Sequence, residues 1–173
     1  MMNPVPRDSA VGQVDGFSAD AMLPLTGVDG PDLQTAVYDI VTWATSATLL
    51  RRLMAAGDFP LREDAAAFRL FLQLVYRGAA RPTEVAAAIE TSRSNVARIG
   101  RRLEDAGLVA RRPDPEDDRA VVLGLTEDGR VVGRRILDTG LRLFSPVLAG
   151  WSATDVATLQ RLLLDLAGRL RTP

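Results

Sequence analysis

From Asp32 the positions Leu33, Val37, Ile40, Val41, Ala44, Ala47, Thr48, Leu50 and Leu53 recur at spacings of three and four, which predicts one amphipathic helix ending near Gly57. A second helix is expected from about Arg62 to Arg77, with Phe68, Phe71, Leu72 and Val75 on one side and Gly78 as its stop. A short helix from Thr83 to Ile89, a tight turn at Glu90 and Thr91, and a helix from Ser92 to Asp105 follow. In the last of these Val96, Ile99 and Leu103 form the buried stripe, which leaves Arg93, Ser94, Asn95, Arg98, Arg101 and Arg102 largely off the core face. After Gly107 the period becomes strand-like. Leu108 to Arg112 and Ala120 to Leu125 flank a turn-rich tip at 113–118, which suits a hairpin. Thr126, followed by Glu127 and Asp128, opens a helix that runs toward Phe144 and stops before Pro146. Ser152 opens the last helix, with Val156, Leu159, Leu162, Leu163, Leu166 and Leu170 on one face. Residues 1 to about 31 carry four prolines and no periodicity and read as a mobile tail.

Composition narrows the chemistry. The 173 residues, 47% hydrophobic, suffice for one real core or a compact pair of small lobes, and no apolar run approaches the length of a membrane span. A soluble, cytoplasmic protein without membrane contact is expected. Cysteine and histidine are both absent, which argues against disulfides, thiol redox sensing, Cys or Ser-His-Asp nucleophilic chemistry and the usual zinc or transition-metal sites. No phosphate-cradling glycine loop and no nucleophile-base constellation stands out, so no enzyme activity, cofactor or metal is expected. The net charge of −1 gives no hint of nucleic acid, but its distribution does. Residues 77–112 hold eight Arg against four acids, whereas the segments on either side are net acidic.

A helix, a short turn, a second helix with outward Arg and Asn, and then a hairpin with a basic stem is the order of a winged helix-turn-helix. The major groove of B-DNA admits an α-helix whose first exposed residues reach base edges, while flanking basic groups hold phosphates. Ser92 is expected to cap the recognition helix. Arg93, Ser94, Asn95 and Arg98 lie on its N-terminal half, where Arg can pair bidentately with guanine and Asn with adenine, and Arg102 adds a candidate phosphate contact.

The segment from Arg81 through Gly129 resembles the core of the MarR family of regulators. The resemblance is carried by Thr91-Ser92-Arg93-Ser94-Asn95-Val96, by Arg102-Leu103-Glu104 before Gly107-Leu108-Val109, by Asp114-Pro115-Glu116-Asp117-Asp118-Arg119-Ala120, and by Leu125-Thr126-Glu127-Asp128-Gly129. It implies a dimer in which the first and last helices of two chains interlock, with each wing against a minor groove. It further implies that Arg119 is the wing arginine and that Asp117 supports it by orienting the guanidinium. Two positions depart from the family pattern. Asp118 stands where a basic residue is usual, and Glu90 stands in the turn where Gly is common, at a position that can demand φ > 0.

The expected architecture is therefore mainly α with a small β-hairpin wing: a winged helix-turn-helix domain plus long dimerisation helices. Its expected parts are a tail over 1–31, an N-terminal dimerisation helix within 32–60, the DNA-binding domain over 61–126 and C-terminal dimerisation helices over 127–173. The expected partners are double-stranded DNA, on a pseudo-palindromic operator, and a second copy of the chain, because the apolar faces of the first and last helices are too large for a monomer to cover. Trp43, Phe59, Phe68 and Tyr76 are candidates for a small-molecule effector pocket of the kind the family often has, although aromatics at helical spacing are more often core. The rival reading is a winged-helix module that contacts only protein, against which the Arg stripe speaks.

Overall fold

In a computed structural model, residues 25, 26, 30 and 32–170 are described, except that the side chain of Asp118 is left aside. The elements in chain order are α1 (Leu33–Ala44), α2 (Ala47–Ala56), α3 (Ala65–Arg77), α4 (Pro82–Ala88), α5 (Arg93–Asp105), β1 (Val109–Asp114), β2 (Asp117–Leu125), α6 (Glu127–Phe144), a 3-10 turn (Ser145–Leu148) and α7 (Ala153–Arg169). The fold is thus mainly α with one small antiparallel hairpin. Apart from Leu25, Thr26 and Gly30, the tail expected over 1–31 lies outside the described residues.

The chain divides into two units, Met1–Thr45 and Ser46–Pro173. The single helix expected over 32–57 is two helices, and the reason lies in two hydroxyls. Thr45 donates its side-chain hydroxyl to the carbonyl of Val41 at 2.7 Å. Ser46, in extended conformation, caps α2 by accepting from the backbone N–H of Leu49 at 3.2 Å. Ser and Thr offer the backbone local alternatives to the helical ladder, and a pair of them can end one helix and begin the next. In the first unit, α1 is capped by Asp32 and buries none of its residues.

In the second unit α3 begins at Ala65, three residues later than the periodicity suggested, because Asp64 takes the cap position and accepts from the backbone N–H of Ala67 at 2.9 Å. Phe68, Leu70, Phe71 and Leu74 of α3, Val85 of α4, and Val96, Ile99 and Leu103 of α5 meet in one buried core with Leu108, Val109, Leu123 and Ile136. Phe59, just after α2, completes it, its ring edge-on to Phe68 with centroids 5.1 Å apart. The strands pair in register from Val109 opposite Leu125 to Pro113 opposite Val121. Ala80, in the loop before α4, exchanges both backbone hydrogen bonds with Leu123, at 3.1 and 2.9 Å, and so fastens the hairpin to the helices. Thr126 caps α6 and also donates to the carbonyl of Gly107 at 2.6 Å. The last helix, α7, buries none of its residues: Leu162, Leu163, Leu166 and Leu170 are about half exposed or more.

Candidate nucleic-acid interface

The turn between α4 and α5 is short because Glu90 adopts a left-handed conformation, φ 52°. A non-glycine residue tolerates this region at some cost, so the departure noted at Glu90 is real in the backbone. The strained residue is locked from its far side, where the N–H of Thr91 donates to the carbonyl of Ala86 at 2.9 Å. Ser92 then caps α5, accepting from the N–H of Asn95 at 3.2 Å. With Val96, Ile99, Gly100 and Leu103 buried, the helix has one face left for solvent, and on it stand Arg93, Ser94, Arg98 and Arg101.

The remaining expected residues are placed differently from one another. Asn95 is half-buried, with both ends of its amide engaged: Nδ2 donates to Thr91 Oγ1 at 2.8 Å, and Oδ1 accepts from Arg98 Nη2 at 2.7 Å. Arg102 points away from the solvent-facing arginines. Its Nη2 lies 2.7 Å from Asp64 Oδ2, with the two side chains 33% and 24% exposed, so Asp64 both caps α3 and anchors α5. Arg119 is exposed on β2, and among the described residues Asp117 forms no ion pair with its guanidinium. Asp117 Oδ1 accepts instead from the Arg119 backbone N–H at 3.0 Å, which shapes the turn rather than the side chain.

Two arginines outside the expected set join the surface. Arg111 and Arg112 of β1 line, with Arg119, a shallow groove of about 220 Å³ on the wing. Arg111 is paired with Glu104 at 2.9 Å, whereas Arg93, Arg98, Arg101, Arg112 and Arg119 are exposed and in no ion pair among the described residues. The wing is braced from beneath by Asp114, only 6% exposed, which accepts from the N–H of Glu116 at 2.9 Å and from Arg81 Nε at 2.5 Å. These two bonds hold its carboxyl below the ordinary aspartate range, the Glu116 N–H contributing most, and the carboxylate in turn raises Arg81.

Of the aromatic residues expected to form an effector pocket, Phe59, Phe68 and Tyr76 lie in the second unit and are placed differently from one another. Phe59 and Phe68 are fully buried and fill the core. Tyr76 is 67% exposed and lines an open groove of about 470 Å³ with Arg69, Gln73, Arg77 and Ile89. Trp43 lies in α1 and is 43% exposed.

A helix-turn-helix continued by a hairpin that packs back on its own core defines a winged-helix protein. Residues 65–121 match the model of the MarR family. The transcriptional repressor MprA of Escherichia coli strain K12 is 32% identical over 89 residues, which are 51% of this chain and 51% of that protein. The chain thus spans about half the length of the curated relatives it matches. Among solved structures, a MarR family protein from Bacillus stearothermophilus has a TM-score of 0.61 at 21% identity, covering 79% of this chain and 95% of that one. The wild-type, apo form of MarR from Escherichia coli has a TM-score of 0.56 at 24% identity, over 79% of this chain and 97% of that one. At these identities the solved structures speak for the fold.

Proposed function

We propose that this chain is a transcriptional regulator that binds double-stranded DNA as a homodimer, with α5 in the major groove and the wing against the flanking backbone. The observation that carries this reading is the set of five exposed guanidinium groups on α5 and the hairpin that form no ion pair among the described residues, on a molecule whose net charge is −1. An unpaired arginine on a winged helix is free to neutralise a phosphate or to read a guanine, and its counterions are released when it does so. In this reading Arg93, Ser94, Arg98 and Arg101 face the groove, Arg112 and Arg119 serve the wing, and Arg102 braces the helix. A regulator of this kind works in the cytoplasm, where its operator is. The rival reading, a module that contacts only protein, leaves these arginines without a purpose.

Dimerisation rests on α7. Val156, Leu159, Leu163, Leu166 and Leu170 follow a three-four-three-four spacing, the seam of a helix that packs on another helix, and within one chain none of them is buried. Two copies related by a two-fold axis would present two α5 helices to a pseudo-palindromic operator. For effector control, the groove beside Tyr76, whose wall carries Arg69, Arg77 and Glu90 together with Leu72 and Ile89, is the place for a small organic molecule with polar groups.

Fluorescence anisotropy with random duplex at low salt, followed by selection from the same pool, tests the function. Binding whose affinity falls steeply with salt, together with an enriched two-fold sequence, is the expected result. A chain that binds no duplex at low salt would sink the proposal in favour of the protein-only reading.

A further inference from the structure

Arg98 is exposed on α5, and a lone arginine there would lose much rotamer freedom on docking to a base edge. Here it is already held. Its Nη2 donates to Asn95 Oδ1 at 2.7 Å, and Asn95 Nδ2 donates to Thr91 Oγ1 at 2.8 Å. The direction of this relay is fixed by the arginine. The guanidinium has only donors to offer, so the amide oxygen must face it, and the amide nitrogen must then face an acceptor, which is the Thr91 hydroxyl. Thr91 is in turn immobilised by its backbone: its N–H is bonded to the carbonyl of Ala86, a buried residue of α4, and the left-handed Glu90 precedes it. A chain of hydrogen bonds therefore runs from the packed helix α4 through the turn to the tip of Arg98. One of the five guanidinium N–H groups is spent on Asn95, and among the described residues the others have no partner, which leaves them for a guanine edge.

We propose that Thr91 and Asn95 are positioning residues for Arg98: they hold its guanidinium in the orientation that reads DNA and do not themselves read a base. The inference rests on the function proposed above and gives Asn95 a different task from the adenine contact its residue type suggests. Oδ1 and Nδ2, the groups an adenine would need, each already hold one bond within the protein, which sets the amide plane toward Arg98 and Thr91.

The test uses the full-length chain and a duplex that the wild type has selected from a random pool. Thr91→Val keeps the shape and the backbone bond to Ala86 but removes the hydroxyl, and Thr91→Ser restores it. Thr91→Val is expected to weaken the selected duplex by roughly three- to tenfold while leaving random duplex unchanged, and Thr91→Ser to bind as the wild type does. In an Arg98→Ala background, Thr91→Val should have no further effect, because the relay then has nothing to hold. A residue that merely stabilised the turn would give the same loss in both backgrounds, and that outcome overturns the proposal. Thr91→Val silent where Arg98→Ala is impaired overturns it too, while leaving the DNA-binding function intact. A wild type with no preference for any duplex overturns both. Should Val disturb folding in a thermal melt, Thr91→Ala makes the same comparison.

Discussion

Replacing Arg102 and Arg98 separately by Ala should divide bracing from recognition within one helix. Arg102 pairs with Asp64 at 2.7 Å in a site where both side chains are mostly buried, and Arg102→Ala would leave the Asp64 carboxylate with its Ala67 cap bond alone. A hydrogen bond to a charged group contributes about 1.5–3 kcal/mol net, and with a third of Arg102 exposed to screening water we expect a loss near the lower end, about 1–2 kcal/mol. For a chain of 173 residues that loss corresponds to a fall in Tm of roughly 2–8 °C. Arg98 is exposed and among the described residues bonds to Asn95 alone, so Arg98→Ala should change stability by no more than about 0.5 kcal/mol. On DNA the order reverses. Arg98→Ala should cost about 1–3 kcal/mol on the preferred site and flatten discrimination. Arg102→Ala should leave the salt dependence unchanged, since no phosphate contact is lost. Circular-dichroism melts and anisotropy titrations at two salt concentrations measure all four quantities. The reasoning fails if Arg102→Ala melts like the wild type and lowers the salt slope by about one per half-site, the signature of a phosphate contact.

Other expectations follow from single contacts. Gly129 of α6 is buried, and a Cβ there would lie 2.0 Å from the Leu108 carbonyl oxygen, so Gly129→Ala must push α6 off the hairpin; urea unfolding should register a loss of about 2–3 kcal/mol or more. Asp114 has a folded-state pKa below its unfolded one, so its contribution is complete above about pH 4 and is lost as pH falls through the depressed folded value. Acid titration of stability should therefore show a shallower acid limb in Asp114→Asn than in the wild type, and identical limbs would refute the bracing role of Asp114. Charges placed in the α7 seam, as Leu163→Glu with Leu166→Glu, should convert a dimer in sedimentation at micromolar concentration into the 18.7 kDa species; a wild type that is already monomeric would remove the seam from the argument.

Periodicity alone determined most of this architecture. The stripe of Val96, Ile99 and Leu103 fixed which side of α5 is buried and hence that Arg93, Ser94, Arg98 and Arg101 face outward. The caps at Ser92, Thr126 and Ser152 fixed where three helices start. These are local facts, readable within a few turns of chain. The break at Thr45 and Ser46 was equally local, but an apolar pattern that continues through it hides two hydroxyls, each a common enough helix residue. Tertiary structure alone decided what Arg102, Asp114 and the core aromatics do, because their partners are remote in sequence. Arg102 is a brace because folding brings Asp64 to it, 38 positions away, and Asp114 is a brace because Arg81 reaches it across 33. Phe59 and Phe68 are core because α2, α3 and α5 close over them. A guanidinium has the same spacing and chemistry in a sequence whether a carboxylate waits for it or not, and only the packing of distant elements determines which arginines are drawn into an ion pair.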